Sequence, residues 1–285
     1  MRVFVTGAGG QVGSWLVEHG RSRPHEIVPL TRADADVTCP KQVEELAFGP
    51  DDVVINCAAY TAVDAAETDA EGAEVLNARA PELLALRCLR SGARLVQLST
   101  DYVFGSVAAD PRPWRVDDEC VPETVYGRTK RDGERRALAA DPRTVVVRTA
   151  WVYSGREGDF VGTMRRLAAD GVDPRVVDDQ LGSPTYASDL AAGLLDLAER
   201  LAAEQARPGA ILHAAGTGQA TWYELAREVF AGVGADPERV SPCTTEEFPR
   251  PARRPAYSVL SPEAWESWGL EPLPEWHDGL RRALV

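Results

Sequence analysis

The run Thr6-Gly7-Ala8-Gly9-Gly10-Gln11-Val12-Gly13 follows directly on the apolar, β-rich stretch Arg2-Val3-Phe4-Val5. No other feature of the sequence constrains the fold as tightly. Gly7, Gly10 and Gly13 recur every third residue. Glycine permits a tight turn, close approach of a pyrophosphate to the backbone, and close helix–strand contact. Behind the turn, Val12, Trp15, Leu16 and His19 fall at i, i+3, i+4, i+7, the pattern of an amphipathic helix. The N-terminus of that helix offers unpaired N–H groups and a partial positive charge to phosphate. A glycine triplet alone is a weak signal; placed between the first strand and first helix of a βαβ unit it is a strong one. Gly7, Gly9, Gly10, Gln11, Val12 and Gly13 are therefore the expected cofactor cradle.

The rest of the N-terminal half keeps this rhythm. Apolar runs over 27–30, 53–56, 95–98 and 144–147 read as strands, with helical patterns over 71–90 and 126–140 between them. Pro81 is expected to break the first of those helices in two. Strands alternating with helices predict an α/β fold, a doubly wound parallel sheet of the Rossmann type. After about residue 150 the rhythm loosens. Helical patterns remain over 160–169, 188–203 and 221–232, with strand-like runs at 175–177 and 211–213. The expected organisation is a dinucleotide-binding domain over 1–150, with returning segments from about 186–215, and a smaller substrate-binding region over 151–285.

Composition excludes several classes. With 31 basic and 44 acidic residues among 285, the formal net charge is −13. A nucleic-acid binder needs basic surface to neutralise phosphates, so that class is disfavoured. No stretch approaches the roughly 20 apolar residues of a membrane span. Cys39, Cys57, Cys88, Cys120 and Cys243 show no metal-ligand spacing and read as free thiols in a reducing compartment. No signal peptide is visible, and the expected location is cytoplasmic. Only two basic residues are lysines, Lys41 and Lys130, so a retained lysine draws notice.

Two local patterns carry chemistry. The second strand ends Leu30-Thr31-Arg32. An acidic residue at that place binds a ribose 2′-hydroxyl, whereas arginine accommodates a 2′-phosphate. Arg32 thus favours NADPH, with Asp34 close behind and Asp36-Val37 expected to line the adenine pocket. Tyr126 and Lys130 stand four residues apart on a predicted helix, which puts both on one face. A free phenol titrates near pH ~10. A neighbouring ammonium is expected to lower that pKa, and lysine can also hold ribose hydroxyls. Thr100 and Asp101 follow a strand, where open α/β sheets bind ligands. A hydroxyl there can stabilise charge developing on a carbonyl oxygen.

With these motifs in this order the chain resembles the extended short-chain dehydrogenase/reductases and, within them, the dTDP-4-dehydrorhamnose reductase family. The likeness is collinear over nearly the whole length. It runs through the glycine turn and residues 56–64, 99–104, 126–130, 148–153, 179–185 and 251–255, with Ser258. The resemblance implies transfer of a hydride from NADPH, with NADH as an alternative donor, to C4 of a dTDP-4-keto-6-deoxyhexose. It implies Tyr126 as the acid, Lys130 as the group that lowers its pKa and anchors the ribose, and Thr100 as the polariser of the carbonyl. Ala58, Ala59 and Tyr60 would join the cofactor site. Val63 and Trp151 would bracket the sugar, Asp101 would bind a hydroxyl, Tyr102 and Gln180 would add substrate contacts, and Arg253 and Arg254 would lie near the diphosphate.

The resemblance also supplies alternatives. The favoured reaction makes dTDP-L-rhamnose; another dTDP-deoxysugar is the nearest competitor, and a non-catalytic regulatory subunit of the same fold is a third reading. Some members form a Mg²⁺-bridged dimer through glutamates, whose places here fall on or beside Trp15 and Ser188. Neither is a hard oxygen ligand of the carboxylate kind. The expectation is no metal site, and a monomer or a dimer built without magnesium.

Overall fold

The computed structural model describes residues 1–105, 112–156, 158–204 and 207–285. Among these residues, six parallel strands form the central sheet: β1 Arg2–Thr6, β2 Glu26–Leu30, β3 Val53–Asn56, β4 Arg94–Thr100, β5 Val145–Thr149 and β6 Ala210–His213. Their spatial order is β6-β5-β4-β3-β1-β2. The interior strands are continuous β-branched and apolar runs because both faces of the sheet are covered. On one face, helix Gln11–Gly20 and helix Ala187–Ala203 pack side by side over Val3, Val5, Val53, Ile55 and Val147. On the other, Leu84 and Cys88 of helix Ala80–Ser91 and Ala137 of helix Val125–Ala140 meet Phe4, Val54 and Leu95.

The chain leaves β1 for β2 on one side and returns to β3 on the other. Loops at the carboxyl ends of β1 and β3 therefore diverge, and a crevice opens between them. Past residue 150 the chain comes back to this sheet: Ala187–Ala203 lies on the first helix and β6 extends the sheet beside β5. The remaining C-terminal segments build a second core, in which Val161, Met164, Leu225, Phe230, Trp276 and Leu280 are buried together. The short strand Arg175–Val177 pairs there with Ser241–Cys243.

Pro81 does not break its helix as expected. Helix Ala70–Glu74 passes into a π-helical turn, Val75–Arg79, and continues as Ala80–Ser91. Proline has no N–H for the carbonyl four residues back and its ring crowds that carbonyl. Here that carbonyl belongs to Asn77, inside the widened turn. It faces helix Val125–Ala140 at a point where the partner residue is Gly133: a Cβ there would lie 2.0 Å from the Asn77 oxygen. The bulge and the glycine together let the two helices approach closely. Replacing Gly133 with alanine is expected to lower stability by about 1–3 kcal/mol through overpacking. An unchanged urea midpoint in Gly133→Ala would contradict this account.

Candidate active site

At the crevice the chain forms a cleft of about 1500 Å³. Its floor is the glycine turn. Gly7 adopts φ +65°, and a Cβ on it would lie 2.7 Å from the Ala58 nitrogen. A Cβ on Gly13 would lie 2.3 Å from the Gly7 oxygen. These two glycines are needed for backbone-to-backbone contact. Gly9 differs: its Cβ position has no neighbour within 4 Å and opens towards the cleft. The result is a backbone-lined cradle at a helix N-terminus, which suits a dinucleotide pyrophosphate.

The other expected cofactor residues surround the same space. Gln11, Val12, Arg32, Asp36, Val37, Ala58, Ala59 and Tyr60 all line it. The Arg32 side chain is 89% exposed and rests 3.4 Å from Asp36, so it is free to meet a charged group at the mouth. Asp36 turns its carboxylate back to the backbone and hydroxyl of Thr38, which, with Arg32, hold its pKa below the usual range. Asp34 caps the strand end by accepting from the Thr31 N–H and hydroxyl. The Ala58–Tyr60 loop is held by Asn77, whose amide accepts from the Tyr60 N–H at 2.8 Å and donates to the Tyr60 carbonyl at 3.1 Å.

The reacting groups meet at the end of β4. Thr100 donates its hydroxyl to Asp101 Oδ1 at 2.9 Å. Tyr126 and Lys130 rise from helix Val125–Ala140, whose first turn is capped by Thr124 accepting from the Gly127 N–H. Tyr102 packs edge-on against Tyr126, with ring centroids 5.4 Å apart. Lys130 is buried and donates to the Leu98 carbonyl at 2.6 Å.

The electrostatics correct one expectation. Tyr126 is not acidified by Lys130. Burial pushes the phenol up to about 12; the Thr100 hydroxyl opposes this and Asp101 reinforces it. The lysine ammonium is engaged by the Leu98 carbonyl instead. Burial brings Lys130 down to about 8, against an upward pull from Glu134 and Cys57. Asp101 is raised to about 6 by burial, although the Thr100 hydrogen bond favours its charged form. Among the described residues no hydrogen bond of good geometry reaches its buried Oδ2 or the Thr149 hydroxyl, although Ser258 also favours the charged form of Asp101.

The substrate side is only partly as expected. Val63, Asp101, Tyr102, Trp151 and Arg254 line the cleft. Trp151 sits at φ +45°, a left-handed conformation that costs a bulky residue strain. It is held there by stacking on Trp222, 3.7 Å between centroids, and by Gly182, where a Cβ would lie 2.3 Å from the indole. Two expected residues stand apart. Gln180 is absent from the cleft wall; its amide is buried against the Thr245 hydroxyl at 2.9 Å. Arg253 points outward, 69% exposed, towards Glu123.

Sequence reasoning missed Thr149, Phe160 and Trp222 as wall residues. Thr149 was within reach, because β5 is in register with β4 and sets it opposite Thr100. Trp222 follows Thr221, whose capping box with Glu224 fixes the start of helix Trp222–Gly232. The Trp15 indole donates to the Ser154 carbonyl and the Ser188 hydroxyl meets His19 at 2.8 Å.

Comparison with known proteins gives a consistent set of likenesses. The sequence model of the RmlD substrate binding domain matches residues 1–285. A dTDP-4-dehydrorhamnose reductase of Mycolicibacterium smegmatis is 48% identical, over 100% of this chain and 85% of the relative. A probable dTDP-4,6-dihydroxy-2-methyloxan-3-one 4-ketoreductase of Streptomyces antibioticus is 47% identical, over 100% of this chain and 95% of the relative. The crystal structure of the Bacillus anthracis dTDP-4-dehydrorhamnose reductase in complex with NADP superposes with a TM-score of 0.91 at 34% identity, covering 99% of this chain and 97% of that one.

The cradle geometry can be tested alone. Gly7→Ala introduces both a clash and an unfavourable φ, and is expected to weaken NADPH binding at least about tenfold in a fluorescence titration, the scale of 1.4 kcal/mol. Wild-type affinity in that variant would show that the close contact with Ala58 is not required.

Proposed function

The chain belongs to the RmlD substrate binding domain family, and from that premise we propose a reaction and a role for each residue at the head of the cleft. The protein is an NADP(H)-dependent oxidoreductase acting on a nucleotide-sugar ketone. The substrate we assign is dTDP-4-dehydro-L-rhamnose and the product dTDP-L-rhamnose. The observation that carries this reading is the convergence of Thr100, Tyr126 and Lys130 at one strand end, beside a glycine cradle that excludes side chains.

The cradle, Arg32 and the Ala58–Tyr60 loop would hold the cofactor, with Arg32 towards a 2′-phosphate. When bound, the reduced nicotinamide supplies the hydride that C4 of the ketone receives. The chain's own work is to manage the C4 oxygen. The Thr100 hydroxyl, reoriented from Asp101, polarises the carbonyl. Tyr126 delivers the proton. Its raised pKa, a departure from expectation, serves reduction: the phenol remains protonated throughout the neutral range until the developing alkoxide takes its proton. Lys130, cationic below about 8, would reach ribose hydroxyls. Asp101, in the cleft wall, would accept a sugar hydroxyl. Val63 and Trp151, both in the cleft wall, would bracket the sugar ring.

A second dTDP-deoxysugar remains the competing substrate, favoured by the similarity to the Streptomyces antibioticus ketoreductase. It needs the same C4 chemistry. The non-catalytic reading is disfavoured because a binding subunit requires no buried acid beside a cofactor cradle. We assign a cytoplasmic location, where the five free cysteines stay reduced, and a monomer or a dimer without a metal bridge.

Tyr126→Phe is expected to bind NADPH normally and lose about 10²–10⁴-fold in kcat, the range for general-acid removal. Turnover near the wild-type rate would remove Tyr126 from the acid role. The pH profile offers an independent check. If Asp101 acts as carboxylate and Lys130 as ammonium, kcat/KM falls below about 6 and above about 8. Asp101→Asn should abolish the acid limb. A profile flat from pH 5 to 10 would contradict both assignments.

A further inference from the structure

The substrate half of the cleft holds a guanidinium whose hydrogen bonds are only partly taken. Arg254 lines the cleft and its side chain is 21% exposed. Its Nη1 donates to Asp64 Oδ1 at 2.9 Å and to the Ala252 carbonyl at 3.0 Å, and its Nη2 donates to Asp64 Oδ2 at 2.9 Å. A guanidinium carries five N–H groups in a fixed plane. Asp64 occupies the terminal pair, and Ala252 the outer hydrogen of Nη1. The hydrogens on Nε and on the outer side of Nη2 are left. They run parallel along one edge, and among the described residues none accepts from them.

Asp64 is itself over-determined. It lies on the short helix Val63–Ala66, next to Val63 of the cleft wall. Besides Arg254, its carboxylate accepts from the Ala252 N–H at 3.1 Å and lies 3.8 Å from Arg250. Burial would raise its pKa, but Arg254 and the Ala252 N–H prevail and lower it. One carboxylate thus fixes the strap 250–254 and the plane of the Arg254 guanidinium together. With Arg250 also present, the local charge stays positive.

We propose that Asp64 is a positioning residue: by occupying the terminal fork of Arg254 it presents the Nε–Nη2 edge to two oxygens of the substrate diphosphate. This rests on the nucleotide-sugar reading above and deepens it. Planar, bidentate recognition of phosphate is what arginine offers and lysine does not. Arg253, although adjacent, faces Glu123 and takes no part.

The test uses the NADPH-loaded enzyme and two probes, dTDP and thymidine, in calorimetric titrations. Arg254→Ala and Asp64→Asn should each weaken dTDP about tenfold or more, the scale of one charged hydrogen bond. Thymidine and NADPH affinities should hold. In turnover, Asp64→Asn should raise KM by a similar factor with kcat nearly unchanged, and Asp64→Glu should recover part of the loss. The proposal is overturned if Asp64→Asn leaves dTDP binding intact while Arg254→Ala weakens it. It is equally overturned if dTDP, thymidine and NADPH all weaken together, which marks a fold defect. Unchanged dTDP binding in Arg254→Ala would remove the diphosphate role of that arginine. Failure of the wild type to bind dTDP at all would instead remove the nucleotide-sugar reading.

Discussion

A buried ladder of hydrogen bonds joins the strand ends to Lys130. The Thr6 hydroxyl donates to Asn56 Oδ1, Asn56 Nδ2 to Gln97 Oε1, and Gln97 Nε2 to the Leu98 carbonyl. That carbonyl also receives the Lys130 ammonium. The ladder crosses β1, β3 and β4 in turn, so the cradle, the Ala58 loop and Lys130 are located relative to one another by a single connected network. Each member is buried. An unpaired polar group in such a place costs about 1–3 kcal/mol, so the network persists only when complete.

A second buried connection fixes the helix that carries Tyr126 and Lys130. Glu134, on the same helical face, accepts from Ser99 of β4 at 2.6 Å and from two nitrogens of Arg148 of β5 at 2.9 Å. Buried ion pairs are weak evidence for stability, but removing one partner strands a charge. The pair has a consequence for chemistry. Glu134 opposes the loss of the Lys130 proton in a site where burial favours it. Lys130, at about 8, therefore remains largely a cation at neutral pH although it is buried. The same burial raises Tyr126. One desolvated environment thus raises the phenol and lowers the ammonium.

Much of this was legible in the sequence. The glycine turn, the β-branched runs of the buried strands and the Tyr126/Lys130 spacing each follow from local periodicity, and each lies where expected. The parts that were not legible depend on phase and environment. Arg253 and Arg254 are neighbours in an irregular stretch; Arg254 lines the cleft and is gripped by Asp64, 190 residues away, while Arg253 lies beside Glu123. Gln180 sits in the expected motif, but Thr245 claims its amide. Pro81 signals a break, but the π turn absorbs its missing N–H and Gly133, from another helix, leaves room for the Asn77 carbonyl. The direction of the Tyr126 shift could not follow from spacing, since it is set by desolvation rather than by the nearby ammonium. The strained backbone of Trp151 needed Gly182 and Trp222, both distant in the chain.

In the proposed reaction this cleft brings a hydride to C4 of a dTDP-4-keto sugar while Tyr126 supplies the proton. The most direct measurement is isotopic. Wild-type enzyme would be incubated with dTDP-4-dehydro-L-rhamnose and NADPH carrying deuterium at nicotinamide C4, on the transferred face, and the product examined by NMR. The account predicts dTDP-L-rhamnose with deuterium at sugar C4 and nowhere else. Oxidation of the cofactor without deuterium at C4, or no oxidation with this or any related 4-keto sugar, would contradict it.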